Sequence, residues 1–252
     1  MCGRFASTSK PQDLAEIFGV EHWEPTETLA PSWNVAPTGS AFAVLERLPR
    51  DGLRGRPLRQ LRVLRWGLVP PWAKSPEAAV KMINARSETV HEKPSYRQAF
   101  AARRCIVPVD GYYEWQTLPG GGSRPRKQPY FVSRADGGVL ALAGLYEFWR
   151  DRDHPADHPD AWLVTCSIVT TAAEELLAPI HERMPLFLDR AAYDAWLDPR
   201  LTDPDELRPL LVPPAPGALR VIPVSAAVGS IRNNGPELTR RLDPDELVTT
   251  LF

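Results

Sequence analysis

Nowhere in the 252 residues does an uninterrupted apolar run approach the ~20 residues that a membrane-spanning helix needs. The N-terminal stretch also lacks the apolar segment of a secretion signal, so the chain is expected in the cytoplasm. Cysteine is scarce. Cys2, Cys105 and Cys166 form an odd set without CxxC spacing, which argues against a disulfide framework and against a cysteine-rich zinc site. A reducing compartment would preserve a free thiol. Net charge is nearly absent at -1, so a polyanionic partner must be held by local basic patches and not by a global field. No internal repeat or shift of composition divides the chain, and a single domain over residues 1–252 is expected.

What the chain does have is 43% hydrophobic and 24% charged residues, a globular balance, and 27 prolines that stiffen its loops. Residues 11–19 read as a short amphipathic helix with Leu14, Ile17 and Phe18 on one side and Gly19 as its stop. Residues 41–48 and 61–69 read as strands of a hairpin across a polar Gly/Pro loop. Residues 95–104 read as a helix whose last residues, Arg103 and Arg104, suit its negative end. A strand over 105–115 breaks at Asp110-Gly111, and 116–128 read as a flexible connector. Strands are expected over 129–134, 139–149, 161–170 and 219–225. Helices are expected over 171–181, over 190–197 with Asp189 as cap, and over 205–211 behind Asp203-Pro204. The mixed order predicts an α+β fold: a curved, mostly antiparallel, barrel-like sheet flanked by helices.

The chain begins MCGRFA. Methionine before a small residue is commonly trimmed, and Cys2 would then be a 1,2-aminothiol. Its amine, with a reference pKa of about 7.7–8.0, can form an imine with an aldehyde, and the thiol can close a thiazolidine ring. Alternatively the thiol attacks an acyl carbon, or Cys2 is simply a small residue at a frayed end. In INARSE, Asn84 can donate and accept and Arg86 can grip a phosphate; a turn asparagine beside a surface arginine fits equally. In DGYYEW, Glu114 lies between Tyr113 and Trp115, where aromatic packing would raise its pKa; an exposed edge glutamate is the other reading. His181 in IHERMP gains a role only if it meets Cys2 in space, and Arg183 is a second phosphate candidate. SWNVAPT and VGSIRNNGPEL read as polar turns. Trp66, Trp72 and Trp115 can stack bases or fill core and rim.

In order, MCGRFA, WNVAPT, RWGLVPPWA, INARSET, DGYYEW, IHERMP and VGSIRNNG resemble the SRAP family of SOS-response-associated peptidase-like, abasic-site processing proteins. The likeness runs from residue 2 to about residue 240. It implies capture of abasic sites in single-stranded DNA as a covalent thiazolidine at Cys2. It also implies that Asn84 places ring and sugar, Glu114 moves protons, and His181 assists sugar opening and reversal. Arg4, Arg86 and Arg183 match phosphate-holding positions. Asn34, Pro37 and Thr38 match the loop beside the lesion, and Trp72 and Trp115 match aromatic contacts with DNA. Ala73 stands where many bacterial members have a second tryptophan, and Met184 where a further arginine is common. The peptidase label is read as removal of Met1.

The chemistry is coherent in its own terms. An acid and a base of differing pKa open the sugar, the aminothiol traps the aldehyde, and arginines hold the strand. No metal or organic cofactor is required, and a monomer associated with the nucleoid when on DNA is expected. Class II glutamine amidotransferases also begin Met-Cys-Gly, and an N-terminal-nucleophile amidohydrolase is the main rival. Release of glutamate from glutamine marks it. A non-enzymatic single-strand binder, indifferent to abasic sites, is the third reading.

Overall fold

The computed structural model describes residues 2–49, 55–119 and 126–243. From the N-terminus, β1 (Arg4–Ser7) leads into α1 (Pro11–Phe18), which starts on a proline and stops at Gly19 in a left-handed conformation. Leu14, Ala15 and Phe18 face the core, while Ile17 falls one step off that face and is exposed, contrary to expectation. Then come β2 (His22–Trp23), β3 (Ser32–Val35), β4 (Ser40–Arg47), β5 (Leu58–Trp66) and β6 (Asn84–Arg86). Helix α2 (Arg97–Ala102) precedes β7 (Arg104–Val109), β8 (Gly111–Leu118), β9 (Arg126–Arg134), β10 (Leu140–Arg150), β11 (Trp162–Ala172) and β12 (Arg183–Pro185). Short helices α3 (Tyr193–Leu197) and α4 (Pro204–Leu207) and strand β13 (Leu219–Pro223) complete the order.

Two sheets form. The larger runs β12-β11-β10-β7-β4-β5-β2, and a parallel pairing of β5 with β11 closes its five central strands into a mixed barrel. The smaller runs β13-β9-β8-β1-β3. The expected α+β architecture with a curved, mostly antiparallel barrel is therefore observed, as is the antiparallel pairing of β4 with β5. Residues 50–54 of the expected hairpin loop and 120–125 of the expected connector lie outside the described residues, and the ends of that connector are not flexible: residues 116–118 and 126–128 extend β8 and β9 and pair with each other.

The break expected at Asp110-Gly111 is where the chain leaves the barrel for the second sheet. Asp110 accepts from Thr8 N at 2.6 Å and Ser9 Oγ at 2.8 Å. A Cβ at Gly111 would lie 2.4 Å from Phe131 Cζ, so no side chain fits the crossing without a shift. Arg104 opens β7 and does not end a helix, yet it performs the expected capping. Its guanidinium donates to the carbonyls of Phe100 and Ala101 at the end of α2, and to those of Trp196, Asp198 and Leu201. Arg103 pairs instead with Glu147 at 2.6 Å.

Two helix expectations fail. Residues 171–181 are not a helix. Pairing with β12 draws β11 on to Ala172. Pro179 then limits the segment beyond it to turns, closed by Ala178 N to Glu174 O and His181 N to Leu177 O. Residues 190–197 split into a tight turn and α3, and Asp189 makes no side-chain cap. Asp203 does cap α4, accepting from Asp205 N at 2.9 Å, but α4 ends at Leu207 and the remainder of the helix expected over 205–211 is a tighter turn, Arg208–Leu210. No helix among the described residues is long and apolar enough to cross a membrane.

Candidate functional site

Strand β1 lies between β8 and β3, with Arg4 opposite Tyr113 and Phe5 opposite Tyr112 on one side. Continuing this antiparallel register carries the residues before Arg4 alongside Glu114 and Trp115. Side chains alternate along a strand, so Tyr112, Glu114 and Gln116 share one face of β8 and Tyr113 and Trp115 the other. Tyr112 packs in the same core cluster as Cys2, whereas Tyr113 and Trp115 belong to a separate cluster with Phe131 and Val228. Glu114 is buried, at 5% exposure, but not between its aromatic neighbours as their adjacency suggested.

Cys2 is wholly buried. Burial first, and the Glu114 charge second, push its thiol well above the ordinary range, so it stays protonated at neutral pH. Asn84 on β6 donates from Nδ2 to the Cys2 carbonyl at 2.8 Å, and its Oδ1 is buried without a hydrogen-bond partner among the described residues. Strand β6 is itself pinned by parallel pairing of Asn84 with Ile168 and Arg86 with Thr170 of β11, and by Tyr96 Oη to Asn84 O at 3.0 Å.

The turn that delivers His181 is tied to β8 by Gln116 Nε2 to Pro179 O at 3.1 Å, on the face that carries Glu114. His181 Nδ1 accepts from Arg183 N at 3.0 Å, which leaves the neutral ring's proton on Nε2. Arg86 is exposed and Arg183 half-buried; with Glu88, Thr89 and Glu182 they line a cavity of about 460 Å³.

Arg4, half-buried, and Asn34, buried, meet each other. Arg4 Nη1 donates to Asn34 Oδ1 at 2.8 Å, and the two side chains grip the carbonyls of Val228, Gly229, Ser230 and Asn233. They latch the VGSIRNN turn against β1 and β3. Pro37 and Thr38 lie in the turn between β3 and β4, and Thr38 has a φ of 69°, a left-handed strain rare for a β-branched residue. Thr38 N donates to Trp66 O at 2.8 Å. Trp66 cannot stack a base: it is fully buried, 4.8 Å from the Phe5 ring, with its indole nitrogen on Ile83 O. Trp72 is 65% exposed and lines a separate cavity of about 410 Å³ with Lys74, Trp149 and Arg152.

Sequence reasoning missed Tyr112. Its hydroxyl is buried without a partner, and burial, then Cys2, Glu114 and Glu174, keep it protonated. The signal was available in the alternation of DGYYEW. It also missed the strands β1, β3, β6 and β12, which carry five of the chosen polar residues. Among the described residues no group of three His, Cys, Asp or Glu is arranged to hold a metal ion.

Comparison with known proteins adds identity to this geometry. Residues 1–231 match the family model described as SOS response associated peptidase (SRAP). The chain is 41% identical over 238 residues to abasic site processing protein YoqW of Bacillus subtilis (strain 168), covering 94% of this chain and 98% of that one. It is 31% identical to abasic site processing protein HMCES of Mus musculus, over 85% of this chain and 66% of that one. A crystal structure of a protein from Bacteroides thetaiotaomicron superposes with a TM-score of 0.78 at 27% identity, covering 96% of this chain and all of the other.

Proposed function

The chain belongs to the SRAP family, and from that premise we propose that it processes abasic sites by capturing them in single-stranded DNA as a thiazolidine at Cys2, once Met1 has been removed. The relatives' description as abasic site processing proteins supports the substrate. The observation that carries the chemistry is the setting of Cys2. Its carbonyl is tethered by Asn84, its thiol is held protonated, and the Glu114 carboxylate acts on it electrostatically.

A protonated thiol favours an amine-first order. The neutral α-amine of Cys2 adds to the aldehyde of the open sugar, and loss of one water gives the imine. Sγ then adds to the imine carbon while its proton passes to nitrogen, closing the five-membered ring. Glu114 carries protons between amine, departing water and thiol. His181, with its proton on Nε2, is suited to donate to the ring oxygen as the hemiacetal opens. Asn84 Oδ1, which lacks a partner, can accept from the amine or a sugar hydroxyl. Arg86 supplies phosphate contact, and the exposed Trp72 offers a stacking face. In this reading the protein is a DNA–protein crosslinking enzyme that acts as a monomer, and its peptidase-like step is limited to Met1.

The test is a denaturing gel and intact-mass measurement after incubation with an abasic single strand. The expected product is one protein plus one strand less one water, absent with Cys2→Ala. An equally stable adduct with Cys2→Ala would sink the mechanism.

A further inference from the structure

Arg183 and Arg86 border one cavity but are in different states. The Arg183 guanidinium donates to both oxygens of Glu88, Nη1 to Oε1 at 3.0 Å and Nη2 to Oε2 at 2.9 Å. Nη2 also donates to Thr170 O at 2.7 Å, and Nε to Thr170 Oγ1 at 3.4 Å. These contacts engage Nε, both protons of Nη2 and one of Nη1, leaving a single Nη1 proton uncommitted. Arg86, two residues from Glu88, makes no side-chain hydrogen bond to any described residue and is exposed.

The arrangement is layered. The Arg183 side chain is 13% exposed and the Glu88 side chain 52%, so the carboxylate stands between the buried guanidinium and solvent. A guanidinium fork fits a carboxylate and a phosphate with the same two parallel hydrogen bonds. A phosphate entering this cavity therefore finds the fork of Arg183 already filled and Arg86 free of side-chain hydrogen bonds to described residues, though still within the field of the Glu88 carboxylate. The hydrogen bonds from Arg183 hold the Glu88 carboxylate below its ordinary range, so it is ionised at neutral pH. Glu182 adds a second carboxylate to the lining.

We propose that Glu88 is a built-in competitor of the DNA phosphate: it occupies the fork of Arg183 in the DNA-free protein and so weakens the grip on any single strand. This rests on the proposed capture of abasic DNA. To engage Arg183, a phosphate must displace Glu88, which is left charged beside another anion. Intact strands, which offer no aldehyde, are then held mainly by Arg86 and released. An abasic strand is retained because a covalent bond forms. Glu88 thus makes selectivity depend on capture and not on electrostatic affinity.

The experiment is fluorescence anisotropy with an end-labelled intact oligothymidylate across a salt series. Glu88→Gln keeps the size of the side chain and removes its charge. Its affinity should rise about fivefold, the scale of one exposed ion pair. Its log K against log salt slope should steepen by ~0.7, one added phosphate contact on a single strand. Most of that gain should be lost in the Glu88→Gln/Arg183→Gln double variant, leaving only the smaller share that reaches Arg86 through its charge. In the wild-type background, Arg183→Gln should cost clearly less affinity than Arg86→Ala, a comparison that stands even if Glu88→Gln folds poorly. Unchanged or weaker binding by a folded Glu88→Gln protein, or equal losses for Arg183→Gln and Arg86→Ala, would overturn the proposal. Wild-type protein that binds neither intact nor abasic strands at low salt would overturn the DNA reading, and this inference with it.

Discussion

The Asn84 carboxamide on β6 donates to the Cys2 carbonyl at 2.8 Å, while its Oδ1 stays buried and unpartnered among the described residues. One side chain thus fixes the main chain of the proposed nucleophile and holds an acceptor in reserve. Asn84→Asp removes the donor and sets a carboxylate against a carbonyl oxygen. Loss of such a bond costs about 1–3 kcal/mol, so the crosslinking rate should fall by about five- to 150-fold. Intact-strand affinity should change little, since phosphates are held elsewhere. Time courses on gels beside anisotropy read both quantities, and equal losses in the two would refute a role confined to chemistry.

The buried Cys2 thiol should resist alkylation. Its raised pKa leaves little thiolate at neutral pH, against an ordinary cysteine near 8.5. Folded protein treated with iodoacetamide should label Cys2 far more slowly than urea-unfolded protein. Glu114 is the second cause of the shift, after burial, so Glu114→Gln should speed the labelling. Peptide mass spectrometry resolves Cys2 from Cys105 and Cys166. Labelling of Cys2 at the unfolded rate would remove the argument for an amine-first order.

Acid should release one specific anchor between the turn before β3 and the middle of β5. Burial alone would raise the Glu27 carboxylate. Hydrogen bonds from Arg62 and Val63 N, with the Arg62 charge, outweigh burial and hold it below its ordinary range. A depressed carboxylate adds stability above the unfolded value of about 4.3, and that stability is lost as pH falls through the folded pKa below it. Wild type should therefore exceed Glu27→Gln in urea midpoint at about pH 7, with the gap closing on acidification. A gap that stays constant down to about pH 3 would contradict this account.

Arg104 should be the costliest single arginine to lose. It is 2% exposed and donates to five carbonyls drawn from α2, α3 and the turn after it. Arg104→Met keeps much of the apolar stem and strands those carbonyls, at about 3 kcal/mol or more. Thermal unfolding should show a large drop in Tm. Arg200→Met is the contrast: that residue is exposed and, among the described residues, its side chain forms an ion pair within 4 Å only with Asp198, so its loss should be near neutral. A near-neutral Arg104→Met would show that water replaces the protein donors.

Sequence alone determined the long elements, because their signal is local. Runs such as LALAGLYEFW are apolar on both faces and long enough to declare buried strands, and Asp203-Pro204 declares a helix start by capping chemistry that needs no distant partner. Ordered motifs also carried the family, since each keeps its residue types whatever surrounds it. Tertiary structure decided which of those residues meet. Strands β1, β3, β6 and β12 are three or four residues long, too short for periodicity to register, and exist because a neighbouring strand pairs with them. Through that pairing Asn84 reaches Cys2, Arg4 turns inward to Asn34, and Arg183 meets Glu88 across 95 residues of chain. A charged side chain written in sequence is only an available charge. Whether it faces a phosphate, a carbonyl or its own counter-ion is set by what the fold brings within about 3 Å.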